Sequence, residues 1–382
     1  MNKRKRDMSV EWIRIIACFL VIGAHIQLST NVDGAIRFDR QLITAFIADN
    51  VPLFFLIGGY FLFAKTDQDQ NPILQVYKQK LASLFRNVLI PITLLIIIIA
   101  NIDRYIKCEC ELSDCTWNWE SVKYYLFQFY CNQTANDRAG HFWYICSYMK
   151  IIVWFPALAL LCKKDEQVTK IRRLLLLLSY LVIWKNDIQK LNGADYGSYE
   201  GMVFDQKMLY VLLGYEIYYF FHYGKWNLKQ MRLYGAIIFL GGISLKLGMQ
   251  YYFYDLYGAE AGGCFMGLES ATCYMTAVGA FCFWHSFKDK MHSPVIGWFG
   301  KYTLYVYMFH GMVIDRTRDI QWKVLEFCKD APNLFWDVAF YVLYGGFVFG
   351  ISLGIGFVFE RIYALLLFGW DKSKRLWKKS VA

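Results

Sequence analysis

The chain has 382 residues, of which 57% are hydrophobic, 19% aromatic and 19% charged, with a formal net charge of +10. The apolar and aromatic shares exceed those of ordinary globular domains, and long uncharged runs such as Val88–Ala100 suit a bilayer rather than a soluble core. The positive charge does not mark a nucleic-acid binder: lysines and arginines gather in short segments between apolar runs, where they set topology and face anionic lipid.

Ten hydrophobic segments follow in chain order, at about 10–29, 42–64, 84–100, 143–162, 171–184, 206–221, 233–252, 267–287, 296–315 and 335–363, each read as a membrane span by its length in apolar residues. The basic stretch Asn2–Arg6 precedes the first. That first segment runs on to Leu28 without a small-residue cleavage site, so it reads as a retained span and not a cleaved signal. The fifth is short and the most marginal. Basic residues concentrate in alternate loops, among them Lys163, Lys164, Lys170, Arg172 and Arg173, while 253–266 holds none. This bias predicts both termini in the cytoplasm and the long connection 101–142 outside. With no soluble insertion and no internal repeat, the expectation is a single all-α, polytopic, membrane-embedded domain over 1–382.

Ionisable groups at membrane depth are costly and tend to be functional. Arg14 and His25 in the first span lie eleven residues apart, which places them on one helix face about 16 Å apart along the axis. Asp49, His141 and His310 fall at depths similar to that of His25, so the four are candidates for one layer in the outer half. A histidine with a carboxylate partner suits a general base that deprotonates a hydroxyl, and Asp49 is the carboxylate expected beside His25. For each member taken singly, a satisfied buried polar group is the competing reading, and for Arg14 it is an interfacial anchor paired with Glu11. Lys80 and Arg86, at the inner mouth of the third span, join Arg14 as candidates for the phosphates of an anionic donor. His222, His285 and His292 read as inside-loop residues, and Lys246, Glu216 and Glu269 lie within spans without an assigned role.

Of eleven cysteines, Cys108, Cys110, Cys115 and Cys131 cluster in the long connection. At least one disulfide among them is expected, with zinc as the rival, although the spacing lacks paired C-x2-C knuckles. Cys264 and Cys328 fall in other outside loops. Cys18, Cys146, Cys162, Cys273 and Cys282 fall in spans as packing residues.

Five blocks in order resemble the acyltransferase-3 family of integral membrane acyltransferases, and the likeness spans nearly the whole chain. They are Arg14 followed by ten residues and His25; NVPLFFLIGGYFL at Asn50–Leu62, with Gly58 where a serine is usual; HFWYI at His141–Ile145; MLYVLLGY at Met208–Tyr215; and GKYTLYVYMFH at Gly300–His310. One position departs: Ser83 stands where many members carry an arginine three residues before Arg86, leaving Lys80 as the nearest substitute. The resemblance implies a ten-helix fold. It implies transfer of an acyl group, acetyl in the first instance, from cytoplasmic acyl-CoA to a hydroxyl of a surface glycan or lipid-linked sugar. His25 would be the base and Arg14 part of the donor channel, with His141, Trp143, Tyr144 and His310 on the acceptor side or behind the base. No bound cofactor or metal is expected, acyl-CoA being a co-substrate, and the setting implied is the cytoplasmic or inner membrane of a bacterium. The alternative is a polysaccharide or amino-acid exporter on the same fold that consumes no acyl-CoA.

Overall fold

The computed structural model describes residues 6–26, 28–32, 35–64, 72–107, 109–132, 140–192, 205–224, 226–258, 265–329 and 333–381. These residues are almost entirely helical. Helix α1 (Met8–His25) starts at Asp7, whose carboxylate accepts the backbone N–H groups of Ser9 and Val10 as an N-cap. A two-residue hairpin, Asn31–Val32 with Ala35–Ile36, leads to α2 (Phe38–Ile47) and α3 (Asn50–Leu62). Next come α4 (Ile73–Leu84), a π-helical turn at Phe85–Leu89, and α5 (Ile90–Ile106). Then follow α6 (Trp119–Phe127), α7 (Trp143–Val153), α8 (Phe155–Leu161), α9 (Glu166–Leu191), α10 (Gln206–Tyr223) and α11 (Leu228–Tyr257). The chain closes with α12 (Ala271–His285), α13 (Pro294–Arg316), α14 (Arg318–Lys329) and α15 (Leu334–Val381).

Among the described residues five stretches are long and apolar enough to cross a membrane: Met8–His25, Phe38–Leu62, Ile73–Ile106, Leu228–Tyr257 and Leu334–Phe368. The bent pair α7 and α8 makes a sixth if taken as one broken span. Their axes differ by 66° at Trp154. The cause is Pro156, which has no N–H to offer the preceding turn and whose ring crowds it. The segment expected at 143–162 is therefore not a straight rod. The segment expected to be short at 171–184 is the middle of a 26-residue helix, α9, whose polar ends include the buried Asn186, Asp187 and Lys190.

Three contacts organise the core. First, α1 and α13 run parallel and in step. Gly300 faces Glu11, the Cys18 thiol donates to the Thr303 carbonyl at 3.6 Å, and the rings of His25 and His310 meet. Second, α3 crosses α10 at backbone contact: a Cβ on Gly59 would fall 1.9 Å from the Val211 carbonyl oxygen, and one on Gly214 2.1 Å from that of Leu56. Small residues permit such close approach, which supplies packing that lipid cannot oppose. Gly214→Leu is accordingly expected to cost more than the ~1–3 kcal/mol of ordinary overpacking, because the obstruction is backbone. Size-exclusion of the solubilised variant should lose the monodisperse peak, and a wild-type profile would contradict this crossing.

Third, the second span is interrupted at Ala48–Asp49, and Lys246 of α11 fills the break. Its Nζ donates to the Ala45 carbonyl at 3.1 Å, to Asp49 Oδ1 at 3.2 Å and to Thr276 Oγ1 at 3.2 Å. A cation thus sits at the C-terminal end of α2 and an anion at the N-terminal end of α3, each complementing its helix dipole.

Candidate active site

Helix α1 carries the two ends of the site on one face. At its last residue, His25 is exposed, and its ring centroid lies 5.0 Å from that of His310. His310 is fully buried and lies 4.9 Å, centroid to centroid, from His141. His141 belongs to the turn at Gly140–Phe142 ahead of α7, and its ring seats against Gly311, where a Cβ would approach Nδ1 to 3.1 Å. Tyr307 donates its phenolic O–H to the His141 carbonyl.

Hydrogen bonding fixes the state of the middle ring. His310 Nδ1 lies 2.7 Å from the Tyr307 carbonyl oxygen, which can only accept, so Nδ1 carries the proton. Nε2 is left with a lone pair and, among the described residues, no hydrogen-bond partner although it is buried. A buried acceptor without a donor is costly in a fold and is a common mark of a place where a substrate donor docks. The carboxylate at the His25 end of the packed α1–α13 pair is Asp315, itself paired with Arg318 at 2.8 Å.

Asp49 is not that carboxylate. It turns away from His25 toward α11 and α12, accepting from Lys246, Thr276 and Cys273 at Oδ1. Equal depth does not imply a shared face, and Asp49 follows the face of α3 that meets α12.

At the other end, Arg14 lines a cavity of about 430 Å³ with Arg6, Glu11, Tyr60, Tyr218 and His222. Arg14 Nη1 donates to both oxygens of Glu11, at 3.1 and 3.2 Å. Among the described residues Nε and Nη2 make no hydrogen bond, leaving part of the guanidinium fork free for a bidentate phosphate contact. Lys80 and Arg86 do not line this cavity. Arg86 is exposed in the π-helical turn, where its carbonyl accepts from Tyr363 at 2.5 Å.

His285, expected in an inside loop, lies elsewhere. It is no loop residue but the buried last residue of α12, and it anchors one wall of the cavity. Tyr60 O–H lies 2.8 Å from His285 Nε2, Ser9 Oγ lies 2.7 Å from His285 Nδ1, and Ser9 Oγ donates to Asp7 Oδ1 at 2.6 Å. Because the carboxylate takes the serine proton, Ser9 accepts from Nδ1–H and Nε2 accepts from Tyr60. The chain therefore fixes the Tyr60 oxygen as an acceptor facing the cavity. His222 likewise belongs to α10, stacked on Tyr218 at 4.1 Å.

Between the two ends runs a column of tyrosines, Tyr148 and Tyr144 half-buried and Tyr307 buried. Arg14 lies over the Phe61 ring of α3 at 5.8 Å, and one turn back on α3 a Cβ on Gly58 would lie 3.8 Å from the Tyr148 ring. Tyr148 stacks on Tyr144 at 6.3 Å, Tyr144 meets Tyr307 at 5.7 Å, and Tyr307 meets His310 at 5.8 Å. Trp143, beside Tyr144, packs against the main core.

A family model described as an acyltransferase domain matches residues 8–369, nearly the whole chain. The chain belongs to the acyltransferase-3 family. No curated protein and no solved structure gives a significant match. Family membership and the apolar helices make this a membrane acyltransferase. The matched span takes in both ends of the site, from Arg14 and His25 to His310 and Asp315.

In the long connection Cys110 and Cys115 are free thiols with sulfurs 3.8 Å apart, beyond the ~2.05 Å of a disulfide, so the expected bridge is not formed between them. Cys131 is free and exposed, and Cys108 and Cys264 lie outside the described residues. Cys18, Cys146, Cys162, Cys273 and Cys282 are all buried.

Proposed function

We propose that this membrane acyltransferase moves an acyl group, acetyl in the first instance, from cytoplasmic acyl-CoA to a hydroxyl of a cell-envelope glycan or lipid-linked sugar. The observation that carries the reading is that α1 presents Arg14 and His25 on one face, with Arg14 in the inner cavity and Tyr148, Tyr144 and Tyr307 in successive ring contact toward His310. Arg14 holds phosphate in the inner cavity, and the thin pantetheine arm follows the tyrosines. His25, exposed at the far end, takes the proton of the sugar hydroxyl as its oxygen attacks the thioester carbonyl. The C–O bond forms, the C–S bond breaks, and the thiolate leaves with the proton His25 accepted. His310 Nε2, an acceptor, holds a neighbouring hydroxyl of the sugar, since the reacting O–H donates to His25. This arrangement goes with a multi-pass protein of about ten spans, both termini in the cytoplasm, in the cytoplasmic membrane of a bacterium.

Membranes containing the protein, given radiolabelled acetyl-CoA, should release CoA and acylate envelope sugar. Export of glycan without acetyl-CoA consumption would replace this reading with the exporter. Arg14 supplies a second test. Arg14→Ala should raise the acetyl-CoA requirement about ten- to a hundredfold, the worth of a charge-assisted contact of ~1.5–3 kcal/mol. Arg14→Lys should not restore it, because an ammonium does not reproduce a planar fork. Wild-type kinetics in Arg14→Lys would reduce Arg14 to an anchor.

A further inference from the structure

Apart from the reaction face, α1 bounds a second cavity. It measures about 450 Å³ and lies between α1, α2, α3, α11 and α12. Its walls are apolar, with Ile16, Leu20, Phe46, Phe239 and Trp284 among them, and Asp49 is the one charged side chain. Phe46 and Leu240 of this lining are exposed on the apolar exterior, so the cavity opens toward lipid.

The carboxylate is used unevenly. Lys246, Thr276 and Cys273 all bond Oδ1. Oδ2 has no partner among the described residues, although Asp49 is only 2% exposed. An unsatisfied buried carboxylate oxygen calls for a donor, and the soft terminal torsion of aspartate lets Oδ2 meet one entering the cavity. The surroundings select the donor. Lys246 already neutralises Asp49, so a second cation would leave surplus charge at low dielectric. A neutral O–H satisfies the lone pair without adding charge, and the aliphatic and aromatic walls take an apolar body.

We propose that this cavity is a binding site for a membrane amphiphile with a hydroxyl head and a long apolar chain, entering from the lipid and donating its O–H to Asp49 Oδ2. The site stands independently of the acyl-transfer reading, because its walls come from a different face of α1 than Arg14 and His25.

The test uses the full-length protein in lipid nanodiscs. Two probes are compared: a long-chain primary alcohol carrying a photoreactive diazirine, and its methyl ether, which has the same body but no donor. After irradiation, peptides containing Phe239 or Trp284 should carry the alcohol about ten- to a hundredfold more than the ether, the worth of a hydrogen bond to a charged acceptor. Ala236→Leu, which fills the cavity without touching the ion pair, should remove the labelling. Asp49→Asn should retain labelling but erase the preference, since Lys246 and Thr276 hold the amide oxygen and the NH2 group faces the cavity. Equal labelling by both probes would make the cavity a generic lipid groove. Absence of labelling in the wild type would leave it to water, and either result overturns the proposal.

Discussion

His25→Ala is expected to lower acyl transfer about a hundred- to ten-thousandfold, the usual cost of losing a general base, with insertion and folding intact. A sugar hydroxyl is a weak nucleophile at neutral pH, and histidine is the side chain whose ordinary pKa suits taking its proton there. His25 is the exposed member of the three-ring cluster, so a substrate reaches it without unpacking the core. Its removal deletes no packing knob, whereas His310 is fully buried and its Nδ1–H is spent on the Tyr307 carbonyl. His310→Ala should therefore lose stability as well as rate, and His310→Gln should recover stability ahead of rate. Transfer of labelled acetyl in membranes, with protein level measured in parallel, reads both. Near-normal turnover by a well-expressed His25→Ala protein would take His25 out of the reaction, and full loss confined to the His310 variants would move the role there.

Lys246→Met is expected to destabilise the protein by about 3–5 kcal/mol, because it leaves Asp49 as a buried charge whose cation is gone. The same change frees the Ala45 carbonyl at the end of α2. Pairing it with Asp49→Leu should restore most of the loss, since apolar residues of similar volume replace a buried ion pair at little or no cost. Thermal unfolding in nanodiscs distinguishes the cases. If the single and double variants unfold alike, the pair is not what holds the interrupted span.

The contrast between these two regions shows what the sequence could convey. The face shared by Arg14 and His25 follows from helical periodicity alone, and the cluster of His25, His141 and His310 lies at one level of the chain because apolar runs fix depth. Depth does not fix azimuth: Asp49 shares the depth of His25, but its partner is Lys246, almost two hundred residues on. Lys246 carried a usable signal, a lone cation in an apolar run opposite a lone anion in another, but single-sequence reading offers no rule to pair them. His285 reads as an inside-loop residue from its place at the inner edge of an apolar run, but nearness to an edge says nothing about the burial of a helix's last turn. Asp315 carries no signal of its own in the sequence; the parallel run of α1 and α13 is what brings its helix end to the level of His25.

That parallel run also has a bearing on how the protein is made. Cys18 and Thr303, in contact across α1 and α13, are 285 positions apart, and the pairing of His25 with His310 has the same reach. A ribosome thus delivers the first histidine early and its partner only after α13 has emerged. A nascent chain stalled before then carries an α1 with Glu11, Cys18 and His25 facing lipid or insertion machinery instead of α13. Premature stops before residue 310 are therefore expected to leave no activity, and until α13 has emerged, some four-fifths of the way along the chain, α1 offers its unpaired polar groups to any quality-control factor that recognises them in the bilayer.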